Sequence, residues 1–217
     1  MIRRLLSQMR RRNLQRLTSQ SAYERWAKDY PPIAHNRLME IEQLTMIDLM
    51  PELSGRCVLD LACGTGRYGL IAQQDNAQSV IGVDDSKAML LESPLQQCIV
   101  GSMSQIPLST ETIDVVLCGL AVGHSPDLGS IIDEISRVLI HGGVALLSDF
   151  HPFQYLSGAR RTFQSGREIY EVEHYVHLYQ VWQSACQSAG LHIDAVVEPT
   201  IPNYNMPVVI VYRLVKS

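Results

Sequence analysis

The sequence predicts an α/β fold in which helices flank a mostly parallel sheet. Three observations carry that expectation. Short apolar runs recur near 56–61, 78–83, 97–100, 113–118 and 143–149, and read as strands covered on both faces. Helical patterns near 66–75, 86–92 and 127–140 lie between them, and such alternation implies parallel strands joined by right-handed crossovers. The first strand runs through Leu61-Ala62-Cys63-Gly64-Thr65-Gly66 into a helix, a turn whose free N–H groups face any ligand placed there.

That turn is framed by two acids. Gly64 and Gly66 permit positive φ and let a ligand approach bare backbone. Asp60 ends the first strand. Asp84, with Asp85 beside it, ends the next, and an acid at that strand end accepts hydrogen bonds from ribose hydroxyls. Gly64, Gly66 and Gly69 also match the dinucleotide pattern G-x-G-x-x-G, but glycine spacing alone is a frequent coincidence. Asp60 argues against it, because a carboxylate here would repel a pyrophosphate by ~1 kcal/mol or more at protein-like dielectric. A carboxylate suits an ammonium, and S-adenosylmethionine carries an ammonium, a sulfonium and an adenosine without phosphate.

These residues resemble the class I S-adenosylmethionine-dependent methyltransferases. The run Asp60 to Gly66 is similar to their first motif, with Ala62 where many members have another glycine. Asp84 matches their ribose-binding acid, Ile113 to Cys118 their fourth strand, and Glu134 to Gly143 the helix and turn before the fifth. The resemblance spans roughly Tyr23 to Asp149. It implies a Rossmann-like sheet of seven strands, the last antiparallel, with S-adenosyl-L-methionine as cofactor.

The 217 residues suit one domain with a sizeable core. Charge is uneven: residues 1–22 hold six arginines and no acid, which leaves 12 basic against 22 acidic residues, −10, on the rest. That body is a poor match for nucleic acid. The five cysteines include no C-x-x-C pair, so free thiols in a reducing, cytoplasmic setting are expected rather than disulfides or zinc. No run is long enough to span a membrane.

Taken in order, residues 1–20 form a basic arm. Ile2, Leu5, Leu6, Met9 and Leu17 fall near one helical face, which suits a docked amphipathic helix, an acidic or membrane partner, or a targeting peptide. Residues 21–217 are expected to be the single catalytic domain. Tyr23, Trp26 and Tyr30 sit at helical spacing before Pro31-Pro32, either as an aromatic core face or, by resemblance, as a segment folding over the cofactor with Tyr30 on its methionine part and Tyr23 near substrate. Asn36 to Met50 reads as a second helix. After the third strand, Ser102 stands where the family has an acid facing adenine, so its hydroxyl or the Met103 backbone must serve. Leu120 and His124 follow the fourth strand in a loop resembling that of the small-molecule group, which lacks the Asn-Pro-Pro-Tyr type motif of amine methylation.

The fifth strand leads into His151-Pro152. A histidine at a strand end can act as general base, which makes His151 and His124 the catalytic candidates, with a structural role as the alternative for each. Residues 150–180 read as a substrate-side insertion: a hairpin about Ser165-Gly166, then a strand on which His174 and His177 face opposite sides. Without a third ligand, His-x-x-His is no metal site. A helix from Val181 to Ala189, a strand from Leu191 to Glu198 and a last strand from Met206 to Val215 complete the chain.

The reading is methyl transfer to an oxygen, nitrogen or carbon of a small molecule, in natural-product metabolism or free of it. The acceptor is free or bound to a carrier protein, and a homodimer is compatible. Two alternatives stay open: a cyclase or rearrangement enzyme that keeps the cofactor as a fixed cation, and a non-catalytic partner-binding subunit.

Overall fold

The computed structural model describes residues 14–202 and 204–217. The arginine-rich stretch 1–13 lies outside the described residues. Gln15–Leu17 is a strand, β1, rather than the end of a helix. Helix α1, Ser19–Trp26, starts where the Thr18 hydroxyl accepts from Ser21 N–H. A 3₁₀ turn at Ala27–Asp29 leads to the two prolines. Asn36 then caps α2, Arg37–Leu49, by accepting from Met39 N–H at 3.0 Å.

The alternating core follows. It comprises β2 (Cys57–Leu61), α3 (Arg67–Gln74), β3 (Ser79–Asp84), α4 (Lys87–Leu91), β4 (Cys98–Val100), β5 (Ile113–Gly119), α5 (Leu128–Val138) and β6 (Leu139–Phe150). A short α6 (Pro152–Leu156) opens the insertion, whose hairpin is β7 (Thr162–Ser165) and β8 (Glu168–Val172). Helix α7 (Tyr179–Ser188), β9 (Leu191–Val197) and β10 (Val209–Lys216) close the chain.

Seven strands form one sheet in the order β4-β3-β2-β5-β6-β10-β9. The pairs from β4 through β6 are parallel, and β10 runs antiparallel to both β6 and β9. This is the mostly parallel sheet that the alternation implied, in the seven-stranded, Rossmann-like form that the resemblance implied. Successive residues of β2 serve opposite faces, as the pleat requires. Leu59 and Leu61 pack towards Ile131, Ile132 and Ile135 of α5, while Val58 packs with Tyr68 of α3 and Met46 of α2. The α5 residues recur at helical spacing, so one apolar stripe covers the sheet. Strand order reverses between β2 and β5, and the crevice above their C-terminal ends is where ligands bind in such sheets.

A second, three-stranded sheet has the order β1-β8-β7, with Leu17 opposite Val172. Strand pairing overrides the helical pattern here because Leu17 enters a small core with Ala22, Phe163, Tyr170 and Val172. The N-terminal segment and the insertion thus fold together. Residues 173–178 form no strand, so the expected alternation of His174 and His177 does not apply.

All five cysteines are free thiols. Among the described residues no helix is long and apolar enough to cross a membrane, and no cluster of three or more His, Cys, Asp or Glu could hold a metal.

Candidate active site

The site begins where β2 ends. The chain turns through Ala62 at φ +53°, Gly64 at +55° and Gly66 at +89°, all left-handed. A Cβ on Gly66 would fall 2.8 Å from Leu95 and Ser93, so only glycine fits. Asp84 secures the turn: its Oδ2 accepts from Gly64 N–H at 2.7 Å and its Oδ1 from Ser86 N–H at 2.8 Å. Asp60 Oδ2 accepts from Gly69 N–H at 2.7 Å, in the first turns of α3. Burial pushes Asp60 up to about 7 and Asp84 to about 6, against the opposing pull of those N–H donors. Two buried acids held short of full ionisation favour a cation beside them.

Behind the turn lies a buried charged network. Glu42 of α2, wholly buried, accepts from the Tyr68 hydroxyl at 2.7 Å, from Arg67 at 2.8 Å and from the Ser148 hydroxyl. It ties α2 to the glycine turn and to β6.

A cavity opens above the reversal point. Its cofactor-side wall carries Asp60, Ala62, Gly64, Asp84 and Asp85. Ser102 and Met103 line it after β4, Leu120 and His124 after β5, and Tyr23 and Tyr30 close it from the N-terminal segment. Gly66 shapes the turn without lining the cavity. Leu120 is held at φ +58°, a conformation unusual for a large side chain, with its N–H donating to the Ser148 hydroxyl and carbonyl.

The far wall is polar. The Tyr23 hydroxyl lies 3.1 Å from His124 Nε2, and His124 Nδ1 lies 3.0 Å from the Glu173 carbonyl. A carbonyl only accepts, so Nδ1 carries the proton and Nε2 accepts from Tyr23. Burial, with Arg161 nearby, holds His124 neutral, its pKa well below the usual value. Arg161, from the insertion, donates to the Leu120 carbonyl and to the Tyr23 oxygen. Asp149 of β6 stands 3.8 Å from Arg161 and is pushed up to about 7 by burial.

Three histidines placed near substrate by the sequence lie elsewhere. His151 is not at the cavity: its Nδ1 accepts from Phe153 N–H, capping α6, and its Nε2 donates to Glu198 at 2.9 Å. Pro152 at the first helical position makes His151 the N-cap. His174 turns inward behind the wall, its ring 6.5 Å from that of His124, and burial lowers it to about 3. His177 bonds the Ser125 carbonyl. Sequence reasoning missed Arg161, Asp149, Arg67 and Glu42. Only Glu42 left a signal, a charge on the apolar stripe of α2 between Met39 and Met46.

Comparison with known proteins now decides the family. A methyltransferase domain profile matches residues 59–147, the stretch that builds the turn, both acids and the central strands. That stretch is a methyltransferase domain of the class I, S-adenosylmethionine-dependent kind. Malonyl-(acyl-carrier protein) O-methyltransferase of Yersinia pestis is 27% identical over 202 residues, 88% of this methyltransferase and 72% of that protein. Demethylmenaquinone methyltransferase of Lactococcus lactis is 32% identical over 115 residues, 48% of this chain and 46% of that one. An S-adenosylmethionine dependent methyltransferase from Mesorhizobium loti superposes with TM-score 0.67 at 20% identity, over 81% of this chain and 98% of its own. The 4+2 cyclase SpnF superposes at 0.69 with 13% identity, over 94% and 97%. Those two likenesses establish the fold.

The cofactor of this methyltransferase is S-adenosylmethionine, and the donor set fits it. Two buried acids stand ready for a cationic, hydroxyl-rich ligand. The turn donates backbone without a side chain in the way, and no phosphate would sit beside Asp60.

Proposed function

We propose that this methyltransferase acts on a small-molecule acceptor held between the cofactor and the wall of Tyr23, His124 and Arg161. The single cavity that joins both acids to that wall carries the reading. When bound, the cofactor supplies an electrophilic methyl group. Asp60 binds its ammonium, directly or through water, and Asp84 with Asp85 its ribose. Ala62 and Gly64 leave room for the methionine part, over which Tyr30 closes. Ser102, Met103 and Leu120 border the adenine. Tyr23 and His124 orient the acceptor, because the one free nitrogen of a neutral, buried imidazole is already engaged by Tyr23. Alignment and exclusion of water then supply most of the rate, as in-line transfer requires.

A carrier-bound acceptor is a second reading. The Yersinia relative is named for a malonyl group on an acyl-carrier protein, and such carriers are acidic while residues 1–22 carry six arginines. Removing residues 1–13 should then weaken turnover on carrier-bound substrate alone. Equal loss on free substrate removes that reading.

The test is calorimetric titration with S-adenosylmethionine, S-adenosylhomocysteine and NAD, on wild type and Asp84→Ala. The first two should bind, NAD should not, and the variant should lose both. A methyl-labelled cofactor then separates transfer from cyclisation, because only transfer moves the label. NAD binding alone would overturn the assignment of Asp60.

A further inference from the structure

The two halves of the cavity carry opposite charge. Asp60 and Asp84 stand at the ends of β2 and β3, and Asp85 follows directly. Arg161 stands over the ends of β5 and β6, where it touches Leu120 and faces Asp149. Two cations line the cavity among the described residues. Arg67 is neutralised by Glu42 at 2.8 Å, both side chains being buried.

Arg161 is not neutralised in that way. Its side chain is 12% exposed, and its Nη2 is engaged by the Leu120 carbonyl and the Tyr23 oxygen. Its Nη1 is buried with no hydrogen-bond partner among the described residues. The nearest carboxylate, Asp149, is 3.8 Å away and accepts instead from Phe150 N–H at 2.8 Å. Burial leaves Asp149 titrating at about 7, so its charge is incomplete near neutral pH. A guanidinium with unused donors and a weak counter-charge is costly unless a ligand completes it. The planar fork of arginine matches a carboxylate in particular.

We propose that the acceptor carries a carboxylate and that Arg161 binds it, with Tyr23 and His124 as the neutral wall beside it. This deepens the methyl-transfer reading and rests on it. The acids thereby take the cationic cofactor and the insertion takes the anionic acceptor, so charge alone orients the pair. A carboxylate also suits a wall whose histidine is engaged, because it arrives already deprotonated.

The complex with S-adenosylhomocysteine is titrated calorimetrically with benzoate and octanoate, each against its neutral amide. Both carboxylates should bind and the amides should not. Arg161→Gln should weaken carboxylate binding at least about ten-fold, as loss of a charge-assisted bond implies. Asp149→Asn, which removes the competing carboxylate, should tighten it, and this variant carries the test if Arg161→Gln fails to fold. Equal binding of acid and amide, no binding of either, or no change in either variant would overturn the assignment. Failure of S-adenosylhomocysteine itself to bind would instead remove the methyl-transfer reading on which it rests.

Discussion

The hydroxyl of Tyr23 lies 3.1 Å from Nε2 of His124, although 101 residues separate them in sequence. This contact joins the N-terminal segment to the loop after β5, across the mouth of the cavity. The same hydroxyl accepts from Arg161, so one oxygen links three elements. Tyr23→Phe leaves a buried imidazole nitrogen and one guanidinium donor without partners. Stability should fall by about 1–3 kcal/mol, the cost of buried unsatisfied groups. Urea unfolding checks this. Affinity for S-adenosylhomocysteine, set at the Asp84 side, should change less than stability does. An unchanged midpoint would mean that the network contributes nothing to the fold.

The buried acids give stability a definite pH dependence. Asp60 and Asp149 titrate at about 7 and Asp84 at about 6 in the fold, each raised chiefly by burial. In the unfolded chain such groups titrate near 4. Between about 4 and 7 the folded state therefore binds more protons than the unfolded state, and stability falls as pH rises. The contribution is fully present below about 4 and is lost by about 7. The ligand-free protein should show a lower urea midpoint at pH 7.5 than at pH 5.5, and Asp60→Asn should flatten the difference. Affinity for the cationic cofactor should run the other way, rising through the same window as Asp60 and Asp84 ionise. A midpoint that rises with pH and is insensitive to Asp60→Asn would contradict the assignment.

His151 tests how local a structural histidine can be. It caps α6 and bonds Glu198, away from the cavity. His151→Ala should cost about 1–2 kcal/mol, in the range of a lost helix cap. His151→Asn, which retains a capping acceptor, should recover part of that. Cofactor affinity should be the same in all three proteins. A large loss of turnover at unchanged stability would restore His151 as a base.

What was legible in the sequence was what the chain keeps local. The strand, glycine turn and helix are contiguous, and Asp60 and Asp84 each end a strand, so their placement follows from register alone. The β7–β8 hairpin was legible for the same reason, through Ser165-Gly166. Arg161 and Asp149 were not, because the first meets the site only after the insertion folds onto β1 and α1. The pairing of Leu17 with Val172 that achieves this depends on two segments far apart in sequence. His151 misled for a physical reason: nearness to a strand end says nothing about side-chain direction, and the proline after it was the better guide.

Ala62 offers the sharpest local test. It holds φ +53° at a position where many class I methyltransferases carry glycine. A left-handed conformation costs a residue with a Cβ about 1–2 kcal/mol. Glycine removes that cost but adds backbone freedom to the unfolded chain, roughly 0.5–1 kcal/mol. Ala62→Gly should therefore leave stability unchanged or raise it by up to about 1 kcal/mol. Gly64→Ala is the opposite case: φ is +55°, and the new Cβ would fall 2.9 Å from Met89 Cε. It should destabilise the fold and weaken cofactor binding, because a Cβ is strained at this left-handed φ and the Met89 methyl must also move aside within the turn that Asp84 holds. Thermal unfolding of both variants separates the effects. Ala62→Gly losing as much as Gly64→Ala would mean that the Ala62 methyl, packed against the core, outweighs its backbone strain.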